Sequence, residues 1–239
     1  FPAPMDGTNV SVILDDLFFQ AYGDPKHALH DLACNVYWTT IRHMLRTGEP
    51  GFSIDTGENS GEHLRNACTE VTSSTDGDMC NLGSINMGRL KNRDEFQELV
   101  ECGTAFLLCG TLYSKLPLDE MYKVREKNRR IGLGLMGVHE WLLRREMSYK
   151  PNEELKDWLS IYRMSGAYAN RYADRLGVSR PIATRSIAPT GTISIIAETT
   201  SGIEPIYAVA YKRRYLEGIQ WKAQYVIDAA AKRLIDAGI

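Results

Sequence analysis

The stretch that most restricts this chain is residues 48–92, which has almost no helical period. It holds Gly48, Gly51, Gly57, Gly61, Gly77, Gly83 and Gly88, many Ser, Thr and Asn, and the cysteines Cys68 and Cys80. So long a segment without helices is uncommon inside a compact chain, and such loops usually carry function. The flanks are ordinary by comparison. Residues 8–14 have the β-branched content of a strand, ended by the acidic pair Asp15 and Asp16. Asp24 before Pro25 reads as a helix opening, and Leu29, Leu32, Val36, Tyr37, Ile41, Met44 and Leu45 then recur as one buried face. Asp94 opens a helix to about Tyr113, with Phe96, Leu99, Val100, Phe106 and Leu107 on its packed side. Pro117 and Leu118 begin a short charged helix ending near Arg130, and another helix follows Gly137. Pro151 and Asn152 start a long one through Leu155, Trp158, Tyr162, Tyr168 and Leu176, which Gly177 stops. Residues 185–188 and 192–196 read as strand edges around a Pro-Thr-Gly turn. Helices alternating with short buried strands give the α/β class.

Composition removes several function classes. Lys and Arg number 28 against 30 Asp and Glu, a net charge of -2, which excludes a dedicated nucleic-acid binder. With 44% apolar and 24% charged residues the chain is an ordinary globule, not a disordered one. No uninterrupted apolar run reaches the roughly 18 residues of a transmembrane helix, so no membrane association is expected. Phe1-Pro2-Ala3-Pro4 has neither the basic nor the apolar region of a signal peptide. Five cysteines, at 34, 68, 80, 102 and 109, are an odd number and too few for a disulfide scaffold, so a reducing, cytoplasmic compartment is expected. The chain starts without Met and stops at Ile239 as a helix ends, which reads as a piece of something longer.

The segment Arg65-Asn66-Ala67-Cys68-Thr69-Glu70-Val71 concentrates reactive groups. In an extended segment the side chains at i, i+2 and i+4 leave one face, so Asn66, Cys68 and Glu70 are expected to project together. A thiolate nucleophile wants a cationic neighbour, whereas Glu70 disfavours a second negative charge. The trio therefore suits a thiol reacting as S–H or S•, with a carboxylate beside it to move a proton. On spacing alone, a loop with incidental polar residues is equally open.

Cys80 follows twelve positions later, with only His63 near as a further ligand, so no metal site is expected there. The histidines at 27, 30, 43, 63 and 139 form no HxxxH or HxH pair. Cys102 and Cys109 sit seven apart on a helix, about 10 Å along its axis, and are expected, like Cys34, in the core. Pro189, Thr190, Gly191, Thr192, Ile193 and Ser194 put a flexible turn among three hydroxyls, which can form a phosphate nest or a plain turn. Gly132, Gly134 and Gly137 spell GxGxxG, but residues 126–130 (Glu-Lys-Asn-Arg-Arg) cannot be the buried strand a dinucleotide fingerprint follows. Those glycines are expected to serve close packing against the next helix.

Taken in order, these segments resemble the large catalytic chain of a ribonucleotide reductase. The resemblance runs from Asn9-Val10-Ser11-Val12 through Asn66-Ala67-Cys68-Thr69-Glu70 and Cys80-Asn81-Leu82-Gly83-Ser84-Ile85-Asn86. It continues through residues 129–137 (Arg-Arg-Ile-Gly-Leu-Gly-Leu-Met-Gly) and 188–194 (Ala-Pro-Thr-Gly-Thr-Ile-Ser), and closes on residues 201–206 and 210–214. The form of the 189–194 loop is more similar to the adenosylcobalamin-dependent class than to the class that takes its radical from a partner subunit. The resemblance implies part of a ten-stranded α/β barrel, residues 1–239 being a fragment of that domain, with the cysteine loop through its centre. It further implies that Cys68 becomes the thiyl radical that removes the substrate's 3′ hydrogen. Glu70 would take the 3′-hydroxyl proton, Asn66 would bind the ribose hydroxyls, and Cys80 would be one of the reducing cysteine pair. Residues 189–194 would hold the phosphates of a ribonucleoside di- or triphosphate. A thioredoxin-like or glutaredoxin-like reductant and a homodimer of the full-length chain complete the expectation. The family's usual loop has Pro and Gly flanking the radical cysteine, where this chain has Ala67 and Thr69. The second reducing cysteine and the effector loops are expected upstream, and the cysteines that re-reduce the site beyond Ile239. Two other readings stay open: the same chain from the class with a radical-generating subunit, and a nucleotide-binding module without redox chemistry.

Overall fold

The computed structural model describes residues 10–57 and 61–238. Phe1 to Pro4, and Thr8 and Asn9 at the start of the expected first strand, lie outside them. The chain divides into two compact units, residues 1–78 and 79–239.

In the first unit, strand β1 (Ser11–Asp15) pairs in parallel with β2 (Gly51–Asp55). Parallel neighbours need a crossover, supplied here by helices α1 (Asp16–Gly23) and α2 (His30–Thr47). Asp15 ends the strand as expected and also starts α1, accepting from the Phe18 N–H at 2.8 Å. The expected helix opening at Asp24 is corrected. Asp24 Oδ1 takes the Lys26 N–H, and His27 and His30 donate to the carbonyls of Asp24 and His27, so consecutive turns fill residues 24–29 and α2 begins only at His30. Gly48, in the left-handed region at φ 82°, closes α2. Two short strands, β3 (Leu64–Arg65) and β4 (Thr72–Ser73), pair as an antiparallel hairpin.

The second unit is built on strand β5 (Asn81–Asn86), parallel to β6 (Ile131–Met136) in the register Asn81↔Ile131 to Asn86↔Met136. The GxGxxG glycines thus lie within and at the end of a strand whose six residues are all buried. Residues 183–186 run along the other edge of β6, with Ile131 and Leu133 donating to Ala183 and Thr184 and a parallel bridge between Leu133 and Arg185. Helices α3 (Arg93–Tyr113), α4 (Asp119–Asn128) and α5 (Val138–Leu143) join this sheet to α6 (Glu153–Arg163) and α7 (Ser165–Leu176). The core packs Phe96, Val100 and Leu107 of α3 against Ile131, Leu133, Trp141, Trp158 and Ile161.

Four expectations are corrected in this unit. The long helix from residue 152 breaks at Met164, where the Arg185 guanidinium takes the Arg163 carbonyl at 3.1 Å. Residues 192–196 are not a strand edge but helix α8 (Gly191–Ile196). Leu99 and Phe106 are exposed rather than packed, because α3 buries Phe96, Val100, Thr104, Leu107, Leu108 and Thr111 instead. Cys102 and Cys109 share the outward side with them and are exposed too. A hairpin, β7 (Ala210–Glu217) and β8 (Gln220–Ile227), and helix α9 (Ala229–Asp236) complete the chain.

A ten-stranded barrel is not closed within these residues. Among the described residues the strands form four separate two-stranded sheets, of which two are parallel. Each parallel neighbour requires its own crossover of a dozen or more residues, so a chain of this length supplies few barrel walls.

Candidate active site

Cys68 stands at the tip of the β3–β4 hairpin, and its side chain is exposed. The turn that carries it is closed by the Thr69 N–H donating to the Asn66 carbonyl at 3.0 Å. Asn66 also accepts the Val71 N–H on its side-chain oxygen at 3.0 Å, so the group it can offer a ligand is its NH2. The extended geometry expected for Asn66, Cys68 and Glu70 is therefore corrected to a tight turn. Glu70 is half-buried, with its Oε2 closed off from solvent. Thr69 has φ 65°, in the region that favours glycine, at the position where the family's usual loop has one. The base of the hairpin is tied to β2: Arg65 Nη2 donates to the Ile54 carbonyl at 2.8 Å. Beside it, buried Asp55 accepts from the Gly61 N–H at 2.8 Å and faces His63 Nδ1 at 3.0 Å.

The remaining expected residues belong to the second unit. Cys80 is half-buried, immediately ahead of β5, and packs over Gly132 of β6. All five cysteines are thiols. In the 189–194 loop, Thr190 is left-handed at φ 57° and precedes α8. Its side-chain oxygen accepts the Gly202 N–H at 2.7 Å, while Ser194 Oγ meets Ser201 Oγ at 2.8 Å. Two of the three hydroxyls counted from the sequence are thus turned inward to hold the loop, leaving Thr192 exposed. The N–H groups of Gly191, Thr192 and Ile193 precede the first helical hydrogen bond, from Ser194 N to the Thr190 carbonyl at 2.9 Å.

Sequence reasoning missed Glu140. Its side chain is 0% exposed on α5 and bonded to Thr199, Arg144 and Arg233. The available signal was a lone carboxylate among Val138, Trp141, Leu142 and Leu143. Nearby, His139 Nδ1 accepts the Ile206 N–H at 2.8 Å, and burial holds its pKa below the ordinary histidine value against an opposing pull from Asp228. Tyr162, whose hydroxyl donates to the Leu133 carbonyl, is pushed up to about 12 by burial, partly offset by Arg185. Among the described residues no group of three or more His, Cys, Asp or Glu side chains is arranged for a metal ion. No described helix is long and apolar enough to cross a membrane.

Cys68 thus stands on a hairpin tip of the first unit, and Cys80 packs against a parallel strand pair of the second. Over residues 33–169 and 179–239 the sequence matches the family described as "Ribonucleotide reductase, barrel domain". The chain belongs to that family. It is 32% identical over 256 residues to a vitamin B12-dependent ribonucleoside-diphosphate reductase of Mycobacterium tuberculosis, covering 89% of this chain and 37% of that protein. It is 28% identical over 253 residues to a protein of the same description from Thermoplasma acidophilum, covering 88% of this chain and 33% of the relative. The chain therefore spans about a third of the length of these relatives. In fold it is similar to the Actinobacillus ureae class Id ribonucleotide reductase alpha subunit, with a TM-score of 0.70 and 20% identity over 84% of this chain and 44% of that one.

Proposed function

We propose that the protein reduces ribonucleotides to 2′-deoxyribonucleotides by thiyl-radical chemistry at Cys68, with adenosylcobalamin as the radical source. The observation that carries this reading is the exposed Cys68 on a tight turn, bracketed in sequence by Asn66 and Glu70. An exposed sulfur suits a radical generator that approaches from outside the hairpin, and the names of the bacterial and archaeal relatives favour cobalamin. Adenosylcobalamin, when bound, supplies the one-electron oxidation that turns the Cys68 thiol into a thiyl radical.

Within the chain, Cys68 takes the hydrogen atom from C3′ and returns it at the end, regenerating the thiyl radical, while Glu70 takes the 3′-hydroxyl proton and gives it back. The 2′-hydroxyl leaves as water with a proton from the cysteine pair. Two electrons come from a cysteine pair that becomes a disulfide, Cys80 being one member, and a thioredoxin-like or glutaredoxin-like dithiol restores it. The NH2 of Asn66 holds the ribose hydroxyls. Phosphates of a ribonucleoside di- or triphosphate bind the 189–194 loop through Thr192 and the N–H groups of Gly191 to Ile193, while Thr190 and Ser194 shape it. The active species is a homodimer of the full-length chain.

A second reading keeps the same reduction but takes the radical from a partner subunit. The test is turnover by the full-length chain with adenosylcobalamin, a dithiol and no second protein. Deoxynucleotide formation under those conditions supports the cobalamin reading. Strict dependence on an added protein subunit supports the second.

A further inference from the structure

We propose that Glu140 is a positioning residue for the phosphate loop, acting through Thr199; the inference rests on the reading of residues 189–194 as the site of the substrate's phosphates. A fully buried carboxylate is costly unless it is paired and hydrogen-bonded. Glu140 is 0% exposed and meets that requirement from three directions. Arg144 reaches Oε1 at 3.1 Å, and Arg233 of α9 reaches Oε1 and Oε2 at 2.9 and 3.0 Å. Thr199 donates its hydroxyl to Oε2 at 2.7 Å. The two arginines fix the carboxylate, and Gly88 closes the space behind it: a Cβ there would stand 2.6 Å from Oε2. The carboxylate has no alternative position, so Thr199 is held to one place.

That place sets the loop. Thr200, next in the chain, accepts the Gly137 N–H on its carbonyl at 2.8 Å and faces the Glu140 N–H with its hydroxyl at 3.4 Å. Residues 199 and 200 are thereby docked on the start of α5. From there the bonds run straight into the loop: Thr199 N–H to the Ser194 carbonyl at 2.9 Å, Ser201 Oγ to Ser194 Oγ at 2.8 Å, and Gly202 N–H to Thr190 Oγ1 at 2.7 Å. Thr190 and Ser194 bracket the N–H groups assigned to the phosphates. The hydroxyl of Thr199 is the link through which Glu140 determines where those groups point.

The test compares Thr199→Val, Thr199→Ser and Glu140→Gln in the full-length reductase. Val keeps the shape of Thr and removes the donor, leaving a buried carboxylate oxygen short of a partner; Ser keeps the donor. Thr199→Val should raise the nucleotide KM about tenfold or more, with kcat at saturation within about twofold of the parent. Thr199→Ser should restore KM. Glu140→Gln, which retains an acceptor for Thr199 and weakens the ion pairs, gives a second measurement of the same split should Thr199→Val fold poorly. A parental KM in both Thr199→Val and Glu140→Gln, or a fall in kcat at constant KM, overturns the inference. Thr192→Glu separates this from the reading beneath it. If placing a carboxylate in the loop leaves KM unchanged, the loop is not the phosphate site and both fall. If it raises KM while Thr199→Val does not, only the role of Glu140 falls.

Discussion

Cys80 and Gly132 face each other across the parallel β5–β6 pair so closely that a Cβ on Gly132 would lie 2.9 Å from the Cys80 sulfur. The same Cβ would stand 2.9 Å from Ser186 Cβ and 2.5 Å from Leu82 Cδ2. Leu82 is part-exposed and can swing away, but Ser186 Cβ sits at the backbone and the cysteine is short. Gly132→Ala should therefore destabilise the protein by about 1–3 kcal/mol through overpacking. In thermal unfolding this is a Tm lowered by roughly 2–10 °C. Adding Cys80→Ala should recover part of the loss, because it removes one of the colliding atoms. Strictly additive effects would show that the sulfur is not what fills the glycine's space.

The turn under Cys68 stores strain at Thr69. A β-branched residue at φ 65° pays about 1–2 kcal/mol for left-handed backbone, which glycine avoids. Glycine also loosens the unfolded chain, which returns about 0.4–1 kcal/mol. Thr69→Gly should thus stabilise the protein by about 0.5–1 kcal/mol, read as a higher urea midpoint at unchanged slope. A lower midpoint would mean that Thr69 makes a compensating contact in the turn.

His139 makes stability depend on pH in a defined direction. Its Nδ1 is an acceptor for the Ile206 N–H, so the folded state favours the neutral ring, and burial lowers its pKa from 6.5. The unfolded chain takes up the proton first as pH falls. The contribution is therefore complete above pH 6.5 and is lost progressively below it, toward the folded pKa. His139→Asn keeps an acceptor and does not titrate. The stability difference between parent and variant should be constant above neutrality and should shrink from the parent's side on acidification. A difference that stays flat through pH 5 would remove His139 as a contributor.

How much of this was legible in the sequence depended on how local the physics was. Asn66, Cys68 and Glu70 stood out by residue type, but their geometry followed from a hydrogen bond between Thr69 and Asn66, and an alternating pattern could not reveal that turn. Strand β6 lacked alternation because both of its faces are buried, so the sequence showed the close packing of its glycines but not the strand itself. Residues 192–196 carry the β-branched content of a strand, yet Thr190 turns the chain left-handed and a helix follows, local geometry overriding propensity. Cys102 and Cys109 have core spacing on α3 but share the outward side with Phe106 at 79% and Tyr113 at 85% exposure. Glu140 was hidden because the residues that justify its burial, Thr199 and Arg233, are 59 and 93 positions away.

Glu70 gives the sharpest test of the chemistry itself. In the proposed reaction it accepts the 3′-hydroxyl proton as the hydrogen atom leaves C3′, a task for a carboxylate and not for an amide. Glu70→Gln keeps the shape of the side chain and one acceptor oxygen, and the Oε2 position is already shut off from solvent, so the turn has no new void to fill. Nucleotide affinity should stay within about twofold. Loss of a general base typically lowers turnover by about 10²–10⁴-fold. The expected outcome in the full-length enzyme is therefore a collapse of kcat at nearly constant Kd, with Cys68 still fully modified by thiol reagents, since the variant leaves the tip of the hairpin in place. Turnover at the parental rate would make Glu70 a bystander and move the proton to another group. A large loss of affinity with kcat preserved would instead make Glu70 a ribose-binding residue, and the acid–base assignment at Cys68 would have to be abandoned.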